Sequence, residues 1–353
     1  MKITRKDIAK MAGVSTATVS YVINNSNRVG EETKRRVNQI IEEYNYRPDL
    51  VARAMSTRKT MQIAMLINDL FNNFFAEIVA EFERTAAEHG YSVSICTNDR
   101  NISTYVDNFV SRRMDGVFCM LSPTRIDMQK LYALQQDDIP VLVSGNPTAD
   151  RGCVSLIEPD YMQGMELALQ YLKGYGHRRI AYVSAFSADF ESDIRFKAFR
   201  KYYDQLFTED ESQMVTGVYP FPSTVDSGFE LTEQLLASGR PFTAIITTND
   251  SMAIGCIEAL QKHGLRVPED VSVIGFDNIT IGKHVSVPLT TVGFDKLRFA
   301  NNAFQMLYRA MNEGELSEMN ESMYITERKS VSICPSPRTL PTDATESRLI
   351  SSK

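Results

Sequence analysis

The sequence predicts two parts: a small N-terminal all-α domain with a helix-turn-helix pattern, and a larger α/β domain of two lobes. Length is the first indication, because 353 residues exceed an ordinary single domain. Charge is the second, since residues 1–60 carry 12 Lys and Arg against 6 Asp and Glu, a net charge of +6, and the rest carries 26 against 38, a net charge of −12. The third is the pattern after residue 61, where short apolar runs alternate with amphipathic stretches.

Composition excludes several classes of protein. No apolar run approaches the ~20 residues that span a bilayer, and the start MKITRKDIAK lacks the apolar stretch of a signal peptide. We therefore expect a soluble, cytoplasmic protein. Its five cysteines are scattered and never spaced CxxC, which favours reduced, buried thiols over a disulfide or zinc framework.

The first predicted helix spans residues 4–13, TRKDIAKMAG. Thr4 with Asp7 three residues later has the spacing of a capping box. Gly13 can end the helix because glycine accepts the left-handed conformation that helix ends often need. The face predicted to point inward holds Ile8, Met11 and Ala12.

The second helix begins after Ser15, whose hydroxyl can cap it. Apolar residues at i, i+3 and i+4 form its predicted inner face, namely Val19, Val22 and Ile23. The outward face holds Thr16, Ala17, Ser20 and Tyr21. A third helix follows from about Glu31, with Val37, Ile40, Ile41 and Tyr44 inward and Lys34, Arg35 and Arg36 outward.

Two short helices joined by a glycine-containing turn, a third helix and a positive charge together match a helix-turn-helix. Thr16 and Ala17 are small enough to let the second helix approach base edges in the major groove, and Tyr21 lies one turn further along. The alternative is a small helical bundle with no DNA role. The agreement of cap, turn, spacing and charge favours DNA binding.

The body of the chain alternates strands and helices. The predicted strands are 61–68, 91–97, 116–121, 140–144, 179–184, 243–248 and 271–276. Amphipathic helices are predicted at 75–89, 159–173, 194–206 and 250–263. Nearly continuous apolar strands of this kind indicate parallel sheets covered on both faces, and seven or more such units indicate two doubly wound lobes.

Several stretches also resemble one family. DIAKMAGVSTATVSYVIN and RPDLVARAM near the N-terminus, GHRRIAYVS at 176–184, GLRVPEDVSVIGFDN at 264–278 and PLTTVGFD at 288–295 carry the resemblance. The chain is similar to the lactose/galactose repressor (LacI/GalR) family of bacterial transcription regulators over most of its length, up to about residue 335. One departure is Phe294, where many relatives have a glutamine.

The resemblance implies a domain organisation. A helix-turn-helix DNA-binding domain would occupy residues 1–46 and a hinge helix with linker residues 47–60. Residues 61–334 would form a periplasmic-binding-protein-like, two-lobed effector-binding and dimerisation domain, with crossings between lobes near residues 160, 290 and 322. The tail 335–353 has three prolines and no leucine heptad, so we expect it to be disordered and the protein to be a homodimer.

The same resemblance implies the DNA contacts. The hinge would enter the minor groove of near-palindromic operator DNA, with Met55 at a position where a leucine is common. The predicted DNA-binding residues are Thr4, Ser15, Thr16, Ala17, Ser20, Tyr21, Asn24, Thr33, Ala52 and Met55. Repression is the usual mode of the family.

Polar side chains at strand ends suggest a ligand site between the lobes. By resemblance, Arg195, Asn249 and Asp277 match polar effector contacts of the family. Phe74, Phe75 and Tyr219 occupy positions that often supply aromatic packing. The predicted effector site comprises Asp69, Asn73, Phe74, Phe75, Asp189, Asp193, Arg195, Tyr219, Asn249 and Asp277. Carboxylates, an amide and a guanidinium suit a neutral polyhydroxyl ligand such as a sugar; a nucleobase stacked on Phe74 or Phe75 is the second candidate.

Simpler interpretations exist for some of these residues. Asp250 would cap the helix that follows it rather than contact a ligand, and Asp277 would hold its own loop. One of Phe74 and Phe75 would belong to the core of a lobe. Gly145 stands where some relatives have an acidic residue, so no contact is assigned to it.

Neither catalysis nor a cofactor is predicted. The sequence lacks the glycine-rich nucleotide motifs and a nucleophile elbow, and His89, His177, His263 and His284 are too dispersed to ligate a metal. An enzyme on the same fold remains a formal alternative because fold does not determine function. A sugar-binding protein without a DNA role is the other, and the basic N-terminal part argues against it.

Overall fold

The computed structural model describes ten segments of the chain, which are 3–23, 26–47, 54, 57, 59–97, 102–121, 127–145, 149–184, 193–207 and 223–335. The chain divides into two compact units, Met1–Met61 and Gln62–Lys353. The part of the predicted hinge that carries Ala52 and Met55, and the tail from residue 336, lie outside the described segments.

Within its described segments 3–23 and 26–47, the first unit contains the helices α1 (Arg5–Ala12), α2 (Thr16–Ile23) and α3 (Glu31–Glu43). The capping box predicted at the start of α1 is confirmed, because the Thr4 hydroxyl accepts from the amide of Asp7 and the Asp7 carboxylate accepts from the amide of Thr4. Gly13 follows α1 with a φ of 62°, the left-handed conformation in which glycine costs least. The Ser15 hydroxyl accepts from the Thr18 amide at 3.0 Å and so caps α2.

The core of this unit is formed by Ile8, Ala9, Ala12, Val19, Val22 and Val37. Two predictions of inward-facing residues were wrong. Met11 is 41% exposed, because α1 buries the face shared by positions 8, 9 and 12. Tyr44 is 45% exposed, because α3 ends at Glu43 and the chain turns at Asn45, which has a φ of 45°.

The described residues of the second unit form two sheets. Its strands are β1 (Gln62–Ile67), β2 (Ser92–Thr97), β3 (Gly116–Met120), β4 (Val141–Val143), β5 (Ser155–Pro159), β6 (Ile180–Val183), β7 (Ala244–Thr247), β8 (Ser272–Phe276), β9 (Thr290–Gly293), β10 (Glu318–Glu321) and β11 (Tyr324–Thr326). The first sheet has the order β10-β5-β4-β3-β1-β2 and the second the order β11-β9-β8-β7-β6. All neighbouring strands are parallel except β11 and β9.

The helices of the second unit cover these sheets. They are α4 (Asn73–Glu88), α5 (Ile102–Arg112), α6 (Met128–Ala133), α7 (Tyr161–Gly174), α8 (Ile194–Leu206), α9 (Val225–Ala237), α10 (Asp250–Lys262) and α11 (Lys296–Glu313). A short 3-10 helix, Thr280–Lys283, follows β8. We call the first sheet with its helices the first lobe and the second sheet with its helices the second lobe.

The chain passes between the two lobes three times. After β5 of the first sheet, α7 packs against α8, β9 and β11. After β9 of the second sheet, α11 packs against α4 and the first sheet. Finally β10 joins the first sheet and β11 the second. Each lobe is therefore completed by segments distant in sequence.

All seven predicted strands are confirmed within one residue at each end, and the four predicted helices within two. The four strands that were not predicted are β5, β9, β10 and β11. Two of them are short: β10 reads EMNE and is polar at most positions, and β11 has only three residues. No helix among the described residues is both long and apolar enough to cross a membrane.

Candidate nucleic-acid interface and ligand cleft

The start of α2 presents small side chains to solvent. Thr16 and Ala17 are exposed, Ser20 is half-buried, and Tyr21 is 38% exposed. The Arg28 guanidinium lies 5.6 Å from the centre of the Tyr21 ring, an arrangement in which a cation attracts an aromatic face. This surface has the shape and the side chains that entry into a major groove requires.

Other predicted DNA-binding residues lie around this surface or outside the description. Thr33 is half-buried in the first turn of α3, beside the exposed Arg35 and Arg36. The Thr4 hydroxyl donates to the Asp7 carboxylate at 2.6 Å, and this bond lowers the pKa of Asp7. Asn24, Ala52 and Met55 lie outside the described residues.

The candidate ligand cleft includes Asp277, which directly follows β8. Its side chain is buried, with 5% exposed, and its φ is 100°, a strained value for a residue with a Cβ. Its amide donates to the carbonyl oxygen of Val292 at 2.8 Å. Among the described residues, no hydrogen bond to the Asp277 carboxylate is present. A buried carboxylate of this kind favours a ligand that donates hydrogen bonds.

Arg195, in the first turn of α8, faces the same region. Its Nη1 donates to the carbonyl oxygen of Thr248 at 3.2 Å, and its Nε lies 3.7 Å from the Asp193 carboxylate. Its guanidinium lies 4.7 Å from the centre of the Tyr161 ring. Asp193 caps α8 by accepting from the Arg195 amide at 3.0 Å. The guanidinium is thus held between an acid, a carbonyl and an aromatic face.

The electrostatics of this cluster are dominated by burial. Burial raises the pKa of Asp277 to about 6, although the charges of Arg195 and Lys296 oppose the rise. Burial also raises the pKa of the Tyr161 hydroxyl, which senses the charges of Arg195, Asp277, Glu158 and Asp193. Sequence reasoning missed Tyr161 because it starts a crossing helix, and only its place after β5 could have indicated it.

Asn249 and Asp250 have roles in the framework of the second lobe. The Asn249 side chain caps α10 by accepting from the Met252 amide at 2.9 Å, and its Nδ2 donates to Ser223. The prediction that Asp250 caps this helix was therefore wrong. Asp250 is fully buried and accepts from the Thr291 hydroxyl and the Ile279 amide. Burial and the nearby Asp277 charge raise the pKa of Asp250.

The aromatic side of the site comes from α4. Phe74 is buried and makes edge-on contacts with Phe75 at 5.1 Å and Phe294 at 5.9 Å. Phe294, the departure from the family pattern, thus joins this apolar cluster and is itself buried. Phe75 is only half-buried. Of the two phenylalanines, Phe74 is the core residue and Phe75 keeps a surface for contact.

The remaining predicted residues are placed as follows. Asp69 accepts from the Phe71 amide at 2.8 Å and shapes the loop before α4, and Asn73 is exposed at the start of that helix. Gly145 has a φ of 85°, and its amide donates to the Glu158 carboxylate at 2.8 Å. Asp189 and Tyr219 lie outside the described residues. No group of three or more potential metal ligands occurs within the described segments.

Comparison with known proteins identifies the family. Residues 4–49 match the profile of bacterial regulatory proteins of the lacI family, and residues 169–331 match a periplasmic binding protein-like domain. The HTH-type transcriptional repressor PurR of Pasteurella multocida is 33% identical over 335 residues, covering 93% of this chain and 98% of that protein. The chain belongs to the lacI family. PurR of Vibrio atlanticus is 32% identical with the same coverage of both chains.

Solved structures of related transcription regulators have a similar fold. The Lac repressor dimer bound to operator and the anti-inducer ONPF is 25% identical, with a TM-score of 0.78 over 94% of this chain and 100% of that one. The CelR–cellobiose complex is 26% identical, with a TM-score of 0.68 over 93% and 99%. This lacI-family protein is a DNA-binding transcriptional repressor with an effector domain for a small ligand, and it is not an enzyme.

Proposed function

We propose that this protein represses transcription as a cytoplasmic homodimer on near-palindromic operator DNA, under the control of a neutral polyhydroxyl molecule bound between its lobes. The ligand would be a sugar or a short oligosaccharide. One observation carries this proposal, the cluster in which the Arg195 guanidinium lies against Tyr161 and Asp193 and its charge acts on Asp277. Vicinal hydroxyl groups can bond to a guanidinium and a carboxylate together.

Charge supports a neutral ligand over a phosphorylated one. The carboxyl groups of Asp193 and Asp277 face two cations, Arg195 and Lys296. Both cations are already engaged, Arg195 with Asp193 and Thr248, and Lys296 with the carboxylate of Glu77. Glu158 adds a further negative charge that reaches the Tyr161 hydroxyl. A phosphate dianion placed here would face more negative than positive charge.

The half-buried Phe75 ring favours a second candidate, a nucleobase. An aromatic ring can stack on a base as well as cover the apolar face of a sugar. In that case Asp277 would accept hydrogen bonds from ring or amino N–H groups.

A thermal-shift screen of sugars, sugar phosphates and nucleobases, followed by calorimetry, tests the ligand class. A ligand at ~100 times its Kd stabilises the native protein by ~2.7 kcal/mol. Asp277→Ala should abolish the response to the ligand and leave operator affinity in place. The matched control is Asp204→Ala, an exposed carboxylate on α8. Tight binding of a sugar phosphate without binding of its parent sugar would refute the charge argument.

The DNA part of the proposal assigns residues 1–46 to the DNA-binding domain, 47–60 to the hinge and 61–334 to effector binding and dimerisation. The exposed face of α2 and the positive charge of residues 1–60 support it. Selection of operator sequences from a random duplex library tests it directly. We expect a near-palindromic consensus, and recovery of no consensus would refute operator recognition.

A further inference from the structure

Three polar groups join the two lobes at the edge of the ligand cleft. Glu77 lies on α4 of the first lobe, one turn after Phe74. Its Oε1 accepts from the amide of Thr280, which belongs to the second lobe, at 3.0 Å. Its Oε2 lies 3.2 Å from the Nζ of Lys296. We call Glu77, Thr280 and Lys296 the lobe bridge.

Lys296 connects this bridge to the effector residue Asp277. Its ammonium donates to the carbonyl oxygen of Asp277 at 2.7 Å and to that of Asn278 at 2.6 Å. Both residues have a positive φ, 100° and 49°. The ammonium therefore stabilises the bend that carries the Asp277 carboxylate, in a conformation that costs energy for residues other than glycine.

Burial makes the Glu77 charge important for this arrangement. Lys296 is only 7% exposed, and a buried ammonium requires both hydrogen-bond acceptors and a nearby negative charge. The carbonyl oxygens of Asp277 and Asn278 supply acceptors, and Glu77 supplies the charge from α4. Separation of the lobes would draw Glu77 away from Thr280, because α4 and the loop after β8 belong to different lobes.

Other contacts hold the same bend from within the second lobe. The Nη2 of Arg328 donates to Oδ1 of Asn278 at 2.5 Å, and its Nη1 donates to the carbonyl oxygen of Leu289 at 2.6 Å. At Gly293 an added Cβ would lie 2.5 Å from the Cβ of Asn278, so this close approach requires glycine. These contacts do not depend on closure of the cleft, whereas the lobe bridge does.

We propose that Glu77 and Lys296 are positioning residues that hold the Asp277 carboxylate for the effector and make its placement depend on closure of the cleft. The inference rests on the proposed effector site. The helix that supplies Phe75 to one wall of the cleft also holds, through Glu77, the bend of the other wall. Closure of the cleft would therefore position the aromatic wall and the acidic wall of the site at the same time.

The experiment uses the full-length protein without ligand or DNA. Glu77→Ala and Lys296→Met remove the bridge, and Glu81→Ala is the matched control. Glu81 lies one turn further along α4 and bonds to Asn301 and Arg84 rather than to the loop after β8. Hydrogen–deuterium exchange of peptides covering 277–283 is followed together with the radius of gyration from small-angle X-ray scattering.

We expect exchange in 277–283 to accelerate at least tenfold in both bridge variants, with a larger radius of gyration, and neither change in Glu81→Ala. A carbon-13 titration of the Asp277 carboxyl separates positioning from simple charge effects. The Glu77 charge raises the pKa of Asp277 and the Lys296 charge lowers it, so the two variants should move that pKa in opposite directions while both accelerate exchange.

Unchanged exchange in both bridge variants, or equal acceleration in Glu81→Ala, would overturn the proposal. Exchange that accelerates in one bridge variant and slows in the other would show an effect of charge alone and would also overturn it. None of these measurements uses an effector. A failed ligand screen would therefore count against the proposed function, and normal exchange in the variants would count against the bridge.

Discussion

At the scale of single residues, the cleft is built from charges that the protein buries at a cost. Asp277 combines a buried carboxyl, a pKa raised to about 6 and a strained backbone. Folding alone would favour an asparagine or a smaller residue at this place. Such a combination is typical of functional sites, where stability is given up for a ligand contact.

This burial predicts the pH dependence of stability. The carboxyl of Asp277 titrates near 3.8 when unfolded and at about 6 in the native state, so the native state holds more protons between these values. The free energy of unfolding contributed by this group therefore falls as pH rises from about 4 to about 6. As pH rises across that interval, the free energy of unfolding of Asp277→Asn should increase relative to that of the wild type by on the order of 2–3 kcal/mol, measured by urea unfolding. Parallel pH profiles for the two proteins would contradict the prediction.

Tyr161 and Arg195 allow a second test at this scale. A cation over a desolvated aromatic face contributes about 2 kcal/mol, and less when it is exposed. In a double-mutant cycle with Arg195→Met, we expect Tyr161→Leu to show a coupling energy of about 1–2 kcal/mol. Tyr161→Phe keeps the aromatic ring and therefore the interaction with Arg195. A cycle built with this variant should show little coupling energy. Additive effects in the leucine cycle would show that the stacked geometry contributes nothing to stability.

At the scale of elements, the start of α2 is the surface on which we expect substitutions to change DNA recognition. Its cap, Ser15, and its small residues leave the helix N-terminus open to a groove, while Val19 and Val22 anchor the opposite face in the core. Tyr21 is the one large side chain on the exposed face, and Arg28 covers part of it. We therefore expect Tyr21 to distinguish base pairs.

Tyr21→Ala should lose about 1–3 kcal/mol of discrimination at one base pair of each half-site, because an edge contact in the major groove is removed. The measurement compares operator variants in a quantitative binding-site selection. Thr33→Ala, on α3, is the control and should weaken binding uniformly if it alters a backbone contact. An unchanged base preference in the tyrosine variant would exclude Tyr21 from sequence readout.

The elements themselves could be predicted from the sequence where periodicity is strong. The buried strands β1, β3 and β8 are continuous apolar runs, and the capping residues at both ends of α1 can be recognised from the sequence. The site could be predicted only in part. Asp277 directly follows β8, and the family resemblance points to both Asp277 and Arg195 as candidate site residues. Tyr161, Glu77 and Lys296 reach the candidate cleft through tertiary packing that leaves no local sequence pattern. Tyr44 shows the limit for helices, because one residue past the helix end already leaves the apolar stripe.

At the scale of the whole molecule, the charge division and the C-terminal sequence bear on assembly. The tail from residue 335 contains no leucine heptad, so we expect no tetramer. Light scattering at micromolar concentration should give twice the chain mass of 39.8 kDa. A mass four times that of the chain would contradict the prediction.

Residues 1–60 are basic, so the affinity for operator DNA should fall steeply with added salt, whatever the oligomeric state.

The three passages between lobes also govern how the chain can fold during synthesis. The first sheet begins with β1 at residue 62, yet its edge strand β10 ends at Glu321, and α11, which covers one of its faces, ends at Glu313. A ribosome must therefore release almost the whole chain before the first lobe can close. Until then, the apolar strands β3 and β4 have no cover from α11. Nascent chains stalled between residues 160 and 290 should bind chaperones that recognise apolar segments, and premature termination there should yield aggregates rather than a soluble first lobe.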